Sequence, residues 1–261
     1  MANEVIVVED LTVSFDGFVV LDHLDFTLYD GELRFLIGPN GAGKTTLMDV
    51  LSGKTRPASG RVMFRTTRPV AKHQIEVTKQ PKHKLVRMGL GRKFQTPSVY
   101  RSLTCWENLE VSLGFRSGVL AQLRGLRAGQ RDRIAATLEQ VGLLGRTRVL
   151  AGELSHGEQQ WLEIAMLLVQ EPTVLLLDEP VAGMTGRERE RTGELLHELE
   201  RRHSIVITEH DMEFVRQFSR TVTVLHQGKV LAEGTVDEIQ RNHEVVQVYL
   251  GRSHAVLERA S

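Results

Sequence analysis

Residues 38–46, Gly38-Pro-Asn-Gly-Ala-Gly-Lys-Thr-Thr46, fit the pattern G-x-x-x-x-G-K-[ST], with Gly38, Gly43, Lys44 and Thr45 in the four specified places. Before them, Leu33-Arg-Phe-Leu-Ile37 reads as a buried strand, and after them Thr45 to Leu51 reads as a helix. Strand, glycine-rich loop and helix are the context in which this pattern binds phosphate. Glycines let backbone N–H groups close around phosphate oxygens, and the helix N-terminus adds partial positive charge. The stretch therefore predicts a nucleoside triphosphate site built from Gly38, Asn40, Gly41, Ala42, Gly43, Lys44, Thr45 and Thr46. Lys44 would reach the β- and γ-phosphates, and Thr45 would offer its hydroxyl to Mg²⁺.

At 261 residues the chain is long enough for one large domain, or for a domain carrying a sizeable insertion. Lys+Arg and Asp+Glu are both 33, and this balance argues against bulk nucleic acid as the main partner. A lone cysteine, Cys105, excludes an internal disulfide framework and fits a reducing compartment. No apolar run reaches membrane-spanning length, and Met1-Ala-Asn-Glu-Val does not begin like a signal peptide, so a cytoplasmic protein is expected. Charge is uneven along the chain: 61–101 holds eleven Lys/Arg against Glu76, and 153–213 holds fourteen acids against five arginines. A solvated face and a contact for anionic headgroups or an acidic partner remain alternatives for the basic segment.

N-terminal to the loop, Val5–Val8, Leu11–Phe15 and Leu24–Leu28 with turns at Asp16-Gly17 and Asp30-Gly31 predict an antiparallel β lobe. Phe15 and Phe18 are candidates for the lobe's interior or for stacking on an adenine ring. C-terminal to the loop, Arg61–Phe64 predicts a strand returning to this lobe, and 65–83 reads as an irregular basic excursion. From Thr104 to Gly152 the pattern is helical, over 104–113, 119–126 and 131–141. A helix follows Glu153-Leu-Ser-His-Gly-Glu-Gln159, with Trp161 on its apolar face.

Thr173-Val-Leu-Leu-Leu-Asp-Glu-Pro180 is an apolar run closing on two carboxylates, as a central parallel strand would. Beside the phosphate-loop strand, its Asp178 would lie near the Mg²⁺ held by Thr45, and Glu179 could polarise a water. Ser204–Thr208 is a further strand ending at Glu209-His210-Asp211, and Thr221–Leu225 with Lys229–Leu231 flank Gln227-Gly228 as a hairpin. The end, 237–260, is helical in pattern.

Taken in order, the phosphate loop, Gln95, Leu154-Ser-His-Gly-Glu158, Leu175–Asp178 with Glu179, and His210 resemble the nucleotide-binding subunits of ABC transporters over nearly the whole chain. That resemblance implies an α/β fold: a RecA-like P-loop core with an antiparallel β lobe (1–95 and 153–261) and an inserted α-helical subdomain (96–152). It implies an ATPase using ATP and Mg²⁺, with Glu179, His210 and Lys44 catalytic and Thr45, Gln95 and Asp178 at the metal. Phe15 takes the adenine-stacking place. Ser155 and Gly157 would face the γ-phosphate held by Lys44 of a second ATPase subunit, alike or related. Gln95 would pass closure to transmembrane permease subunits served by an extracytoplasmic solute-binding protein. The chain would thus sit peripherally on the cytoplasmic side of the membrane.

Gly91-Arg-Lys-Phe-Gln-Thr-Pro97, Leu154–Gln160, Glu179-Pro-Val-Ala-Gly-Met-Thr185, Glu209-His-Asp-Met212 and Val248-Tyr-Leu-Gly-Arg252 are similar to the ATPases of branched-chain amino acid importers, and within them to the urea-import type. Urea is accordingly the expected solute and branched-chain amino acids the alternative; a soluble ABC ATPase of DNA repair or translation, or an ATP-binding regulator without turnover, are the competing classes. Two departures stand out. Met184-Thr185 replaces the family's aliphatic residue and Asp, and His156 and Glu158 replace Gly and Gln of the signature.

Overall fold

The structure, a computed structural model, describes residues 3–66, 74–93, 98–114 and 128–248. Two twelve-residue strands, β1 (Glu4–Phe15) and β2 (Phe18–Tyr29), pair antiparallel. Asp16 at φ 49° and Gly17 at φ 84° join them with two successive left-handed residues, whose twist suits a tight hairpin. The runs Val5–Val8 and Leu11–Phe15 form one strand, with a register irregularity between Val8 and Leu11 where Asp10 takes φ 50°. After β3 (Leu33–Ile37) and α1 (Lys44–Leu51), β4 (Ser59–Arg65) returns to β1. With β5 (Gln74–Glu76) it completes a four-stranded antiparallel sheet of order β2-β1-β4-β5.

The stretch 65–83 is more regular than its sequence suggested. Residues 67–73 lie outside the described part, but β5, a 3-10 turn (Val77–Lys79) and α2 (Lys82–Met88) follow. Val77 and Leu85, both buried in the core beneath the lobe, anchor this segment without giving it any period. Next come β6 (Leu90–Lys93), α3 (Cys105–Gly114), α4 (Ala128–Gln140) and α5 (His156–Leu168). The expected helix over 119–126 lies outside the described residues. Strand and helix then alternate through β7 (Val174–Asp178), α6 (Gly186–Leu199), β8 (Ser204–Thr208), α7 (Met212–Phe218), β9 (Thr221–His226), β10 (Lys229–Gly234) and α8 (Val236–Arg241).

These strands form a six-stranded sheet of order β10-β9-β3-β8-β7-β6, parallel from β9 to β6 with β10 antiparallel at the edge. The order corrects one expectation: β7 is not beside β3, because β8 lies between them. Side-chain alternation divides the core. Leu33, Phe35, Ile37, Leu175, Leu177, Ile205, Ile207, Val222 and Val224 join the cluster formed with α3 to α8. Leu36, Val174, Leu176, Val206 and Leu225 belong to the cluster that includes α1 and the four-stranded sheet. Arg34 is the exception within β3, buried yet charged. It is matched by Glu32 at 2.6 Å, Glu233 at 2.5 Å and the Thr223 hydroxyl at 2.8 Å, as a buried guanidinium requires.

Candidate nucleotide site

Parallel strands present their carboxyl ends on one edge of the sheet, where open α/β folds bind ligands. Leu36 pairs with Thr208 and Thr208 with Asp178, so the phosphate loop, Asp178-Glu179 and Glu209-His210 leave three neighbouring strands at one level. Two loop glycines are obligatory. A Cβ on Gly38 (φ 149°) would stand 2.2 Å from Leu225 O, and one on Gly43 (φ 103°) would stand 2.5 Å from Leu21 Cδ2. Gly43 caps α1 without a side-chain hydrogen bond, so the first-turn amides are not taken by a capping side chain. Lys44 Nζ donates to Gly38 O at 2.6 Å and Pro39 O at 3.2 Å, folding the ammonium over the loop. Thr45 is exposed on this first turn.

Asp178 is buried at the end of β7, accepts the Thr208 hydroxyl, and has Arg92 Nη2 at 3.8 Å. Arg92 is itself held by Asp49 at 2.6 Å and the Ser52 hydroxyl at 2.7 Å, both from the α1 region. Glu179 adopts φ 46°, uncommon for a residue with a Cβ, and its N–H donates to Thr208 O at 3.0 Å. That backbone turns its carboxylate aside, bringing Oε1 within 3.2 Å of His210 Nδ1. Glu209 was not singled out from the sequence. It is 2% exposed, burial pushes its carboxyl up, and it accepts the amides of Val181 at 3.3 Å and His210 at 3.2 Å. It thereby ties the turn after β7 to the end of β8. A carboxylate directly following an apolar strand, beside His210, was the available signal.

The departures at 154–160 and 184–185 have a common explanation. Ser155 caps α5, its hydroxyl accepting Glu158 N at 3.2 Å while Glu158 accepts Ser155 N at 2.9 Å. Thr185 and Glu188 repeat this capping box at the start of α6. Glu158 and Thr185 therefore serve backbone amides at helix starts, which a glutamine or an aspartate can also do. The two starts touch: the Ser155 hydroxyl donates to Glu188 Oε1 at 3.4 Å, and Glu188 packs over Gly157, where a Cβ would meet Oε1 at 2.4 Å. His156 Nε2 lies 3.1 Å and Gln160 Nε2 2.8 Å from Ala182 O. Ser155 and Gly157 thus contact α6, whereas Lys44 folds onto its own loop.

Phe15 and Phe18 face each other in register at the tip of the β1–β2 hairpin, 49% and 74% exposed. Exposure excludes the interior role for both, and Val20 and Leu21 beside Gly43 bring this hairpin to the loop. Gln95 lies outside the described residues. In the basic segment, Arg92 and Lys93 are buried against Asp49 and Glu163, and the exposed Arg61 and Lys79 are paired with Glu9 and Glu76, so the net positive charge presented to solvent is lower than a count suggests. Cys105 is buried and its thiol is pushed up to about 11 by that burial, which makes it unreactive. Trp161 is buried, donating to the Thr192 hydroxyl at 2.9 Å.

Residues 21–182 match the family model described as ABC transporter, and residues 229–255 that described as branched-chain amino acid ATP-binding cassette transporter. The chain is 35% identical to the high-affinity branched-chain amino acid transport ATP-binding protein LivG of Escherichia coli (strain K12), over 97% of this chain and 100% of that protein. It is 32% identical to the corresponding protein BraF of Pseudomonas aeruginosa, over the same shares. Among solved structures, the ADP conformation of an ATP-binding cassette of an ABC transporter superposes with a TM-score of 0.81 at 26% identity, covering 95% of this chain and 99% of that one. A nucleotide-free cassette gives 0.79 at 25% identity, covering 94% and 98%. Among the described residues no helix is long and apolar enough to cross a membrane.

Proposed function

The chain belongs to the ATP-hydrolysing subunits of ABC transporters, in the branched-chain amino acid importer family, and from that premise we propose that it powers uptake of branched-chain amino acids through separate membrane subunits. The sequence phrases favoured urea; the relatives matched are named for branched-chain amino acids, and that solute class is preferred here. The observation that carries the reading of the site is the arrival of Lys44, Asp178, Glu179 and His210 at the carboxyl ends of neighbouring parallel strands, with Glu179 and His210 3.2 Å apart.

In this reading Gly38 and Asn40 to Thr46 cradle the phosphates, Lys44 compensates their charge, and Phe15 stacks on the adenine. Thr45, Asp178 and Gln95 fit Mg²⁺ as an all-oxygen donor set. Among the described residues no group of three or more His, Cys, Asp or Glu could hold a metal. When bound, Mg²⁺ neutralises charge on those phosphate oxygens. Glu179 accepts the proton of the attacking water, and His210 holds that carboxylate and contacts the γ-phosphate. Ser155 and Gly157 act on the γ-phosphate bound by a second ATPase subunit. Residues 96–152 meet the permease subunits, which hold the chain at the cytoplasmic face of the membrane, and a solute-binding protein delivers the solute from the other side.

Reconstitution with the two membrane subunits, the partner ATPase and the binding protein tests this. ATP-dependent leucine uptake that disappears with Lys44→Ala is expected. Uptake of urea in place of leucine would overturn the solute class, and uptake indifferent to Lys44→Ala would overturn the site.

A further inference from the structure

The nucleotide site occupies the carboxyl ends of the parallel strands, and the opposite edge of the sheet carries a second cavity of about 520 Å³, within the range that holds small molecules. One wall is α4, through Arg133, Ala136 and Thr137; the other is the core, through Pro172 and Thr173 before β7 and His203 before β8. Leu168 and Pro172, both buried, give the cavity an apolar surface. Glu171 adopts φ 50° just past α5, a conformation for which glycine is the usual residue, so its carboxylate is kept at the cost of backbone strain. It meets Arg133 Nη1 of α4 at 3.0 Å and so bridges the two walls. Burial holds His203 neutral, and with Nδ1 donating to Pro172 O at 2.6 Å its Nε2 is left as an acceptor.

Asp30 and Arg202 also line the cavity, and both are exposed. Asp30 is fixed beside the core by the N–H of Gly31, which donates to the Ser204 hydroxyl at 3.1 Å, and Arg202 by its own N–H, which donates to Leu199 O at 3.0 Å. Among the described residues neither side chain has an ion-pair partner, so a carboxylate and a guanidinium stand apart in one cavity without meeting. Asp30 and Glu171 balance Arg133 and Arg202, which suits a ligand carrying one charge of each sign.

We propose that this cavity binds a free α-amino acid as its zwitterion, with the carboxylate on the Arg202 guanidinium, the ammonium on Asp30 and an apolar side chain against Leu168 and Pro172. A guanidinium takes a carboxylate through two parallel hydrogen bonds, and an ammonium on a carboxylate is likewise charge-assisted. His203 Nε2 offers the ammonium a neutral acceptor. A ligand seated there touches α4 and the amino ends of β7 and β8 at once, so it fastens α4 to the sheet at the edge remote from the nucleotide. The choice of a branched-chain amino acid as ligand rests on the solute class proposed above, since that solute is delivered to this side of the membrane.

The test is calorimetric titration and thermal unfolding of the full chain with L-leucine, beside isocaproate, which lacks the ammonium, and L-leucinamide, which lacks the carboxylate. Expected are saturable leucine binding with a raised unfolding temperature, and binding of each analogue weaker by about ten- to a hundredfold, the scale of losing one charged hydrogen-bonded group. Arg202→Met and Asp30→Asn, both at exposed positions, should weaken leucine binding to the same degree. Both should leave the affinity for a fluorescent ATP analogue, and the unfolding temperature without leucine, as in wild type. No saturable leucine binding, analogues bound as tightly as leucine, or variants that bind leucine like wild type would overturn the proposal and leave the ATP site untouched. Leucine binding here beside urea uptake by the reconstituted transporter would overturn the solute class alone and leave the amino acid site standing.

Discussion

Replacing Glu179 by glutamine separates chemistry from structure at this site. The amide has the same shape and can still meet His210 across the present 3.2 Å, but it cannot take a proton from water. Loss of a general base slows the chemical step by about 10²- to 10⁴-fold, which is about 2.7 to 5.4 kcal/mol of barrier at 1.36 kcal/mol per decade. Folding should be unaffected, because the φ of 46° is as unfavourable for Gln as for Glu. A second substitution checks the backbone. Glu179→Gly relieves about 1 to 2 kcal/mol of left-handed strain against about 0.5 to 1 kcal/mol of added chain entropy, so its unfolding temperature should be no lower than wild type while hydrolysis is lost. Phosphate release with MgATP, nucleotide affinity and thermal unfolding measured on the same preparations decide the matter. Near-wild-type turnover of Glu179→Gln, or affinity and unfolding temperature falling in step with activity, would refute the assignment.

Lys44→Ala should abolish tight ATP binding while leaving the fold intact, since the ammonium donates to Gly38 O and Pro39 O, backbone carbonyls of its own loop; unchanged affinity in a nucleotide titration would remove it from the site. Thr185→Ala deletes the cap of α6, a loss of about 1 kcal/mol, and should lower the unfolding temperature by about 2 to 4 °C, whereas Thr185→Asp should restore it; equal melting of all three forms would reject the capping role. Burial holds His203 below its usual value of 6.5, its Nδ1 donating to Pro172 O at 2.6 Å. The unfolded chain then binds more protons than the folded one below pH 6.5, so stability contributed by neutral His203 is lost as pH falls from there toward the depressed folded value. His203→Gln should lose less unfolding temperature than wild type on acidification through this window, and parallel losses in a thermal scan would count against it.

The phosphate loop was legible because a fixed pattern coincides with a change of period, from the strand Leu33–Ile37 to the helix Lys44–Leu51. Strand β7 and its terminal Asp178 were legible for the same reason. Strand order was not, because β8 enters between β3 and β7 through tertiary packing that leaves no local mark in either strand. Strand β6 was missed since its four residues end in Arg92 and Lys93, whose burial depends on Asp49 and Glu163 far along the chain. Set against the family pattern, which is kept at Ser155 and Gly157, His156 and Glu158 are departures. In three dimensions they are contacts, one to Ala182 O and one in the capping box with Ser155. The solute class was not legible, because nothing in an ATP-hydrolysing subunit touches the solute; only likeness to relatives speaks to it, and the relatives matched favour the alternative, branched-chain amino acids, over urea.

The central claim is that two such subunits close around ATP, each completing the other's site with Ser155 and Gly157, and that hydrolysis reopens them. Light scattering on Glu179→Gln measures this directly, with MgATP, with MgADP and without nucleotide, on the chain alone and mixed with its related ATPase. The account predicts a dimeric mass with MgATP only, in one of the two preparations, and its loss when Ser155→Arg is added. A monomer under every condition in both preparations, or a dimer indifferent to nucleotide, would contradict it.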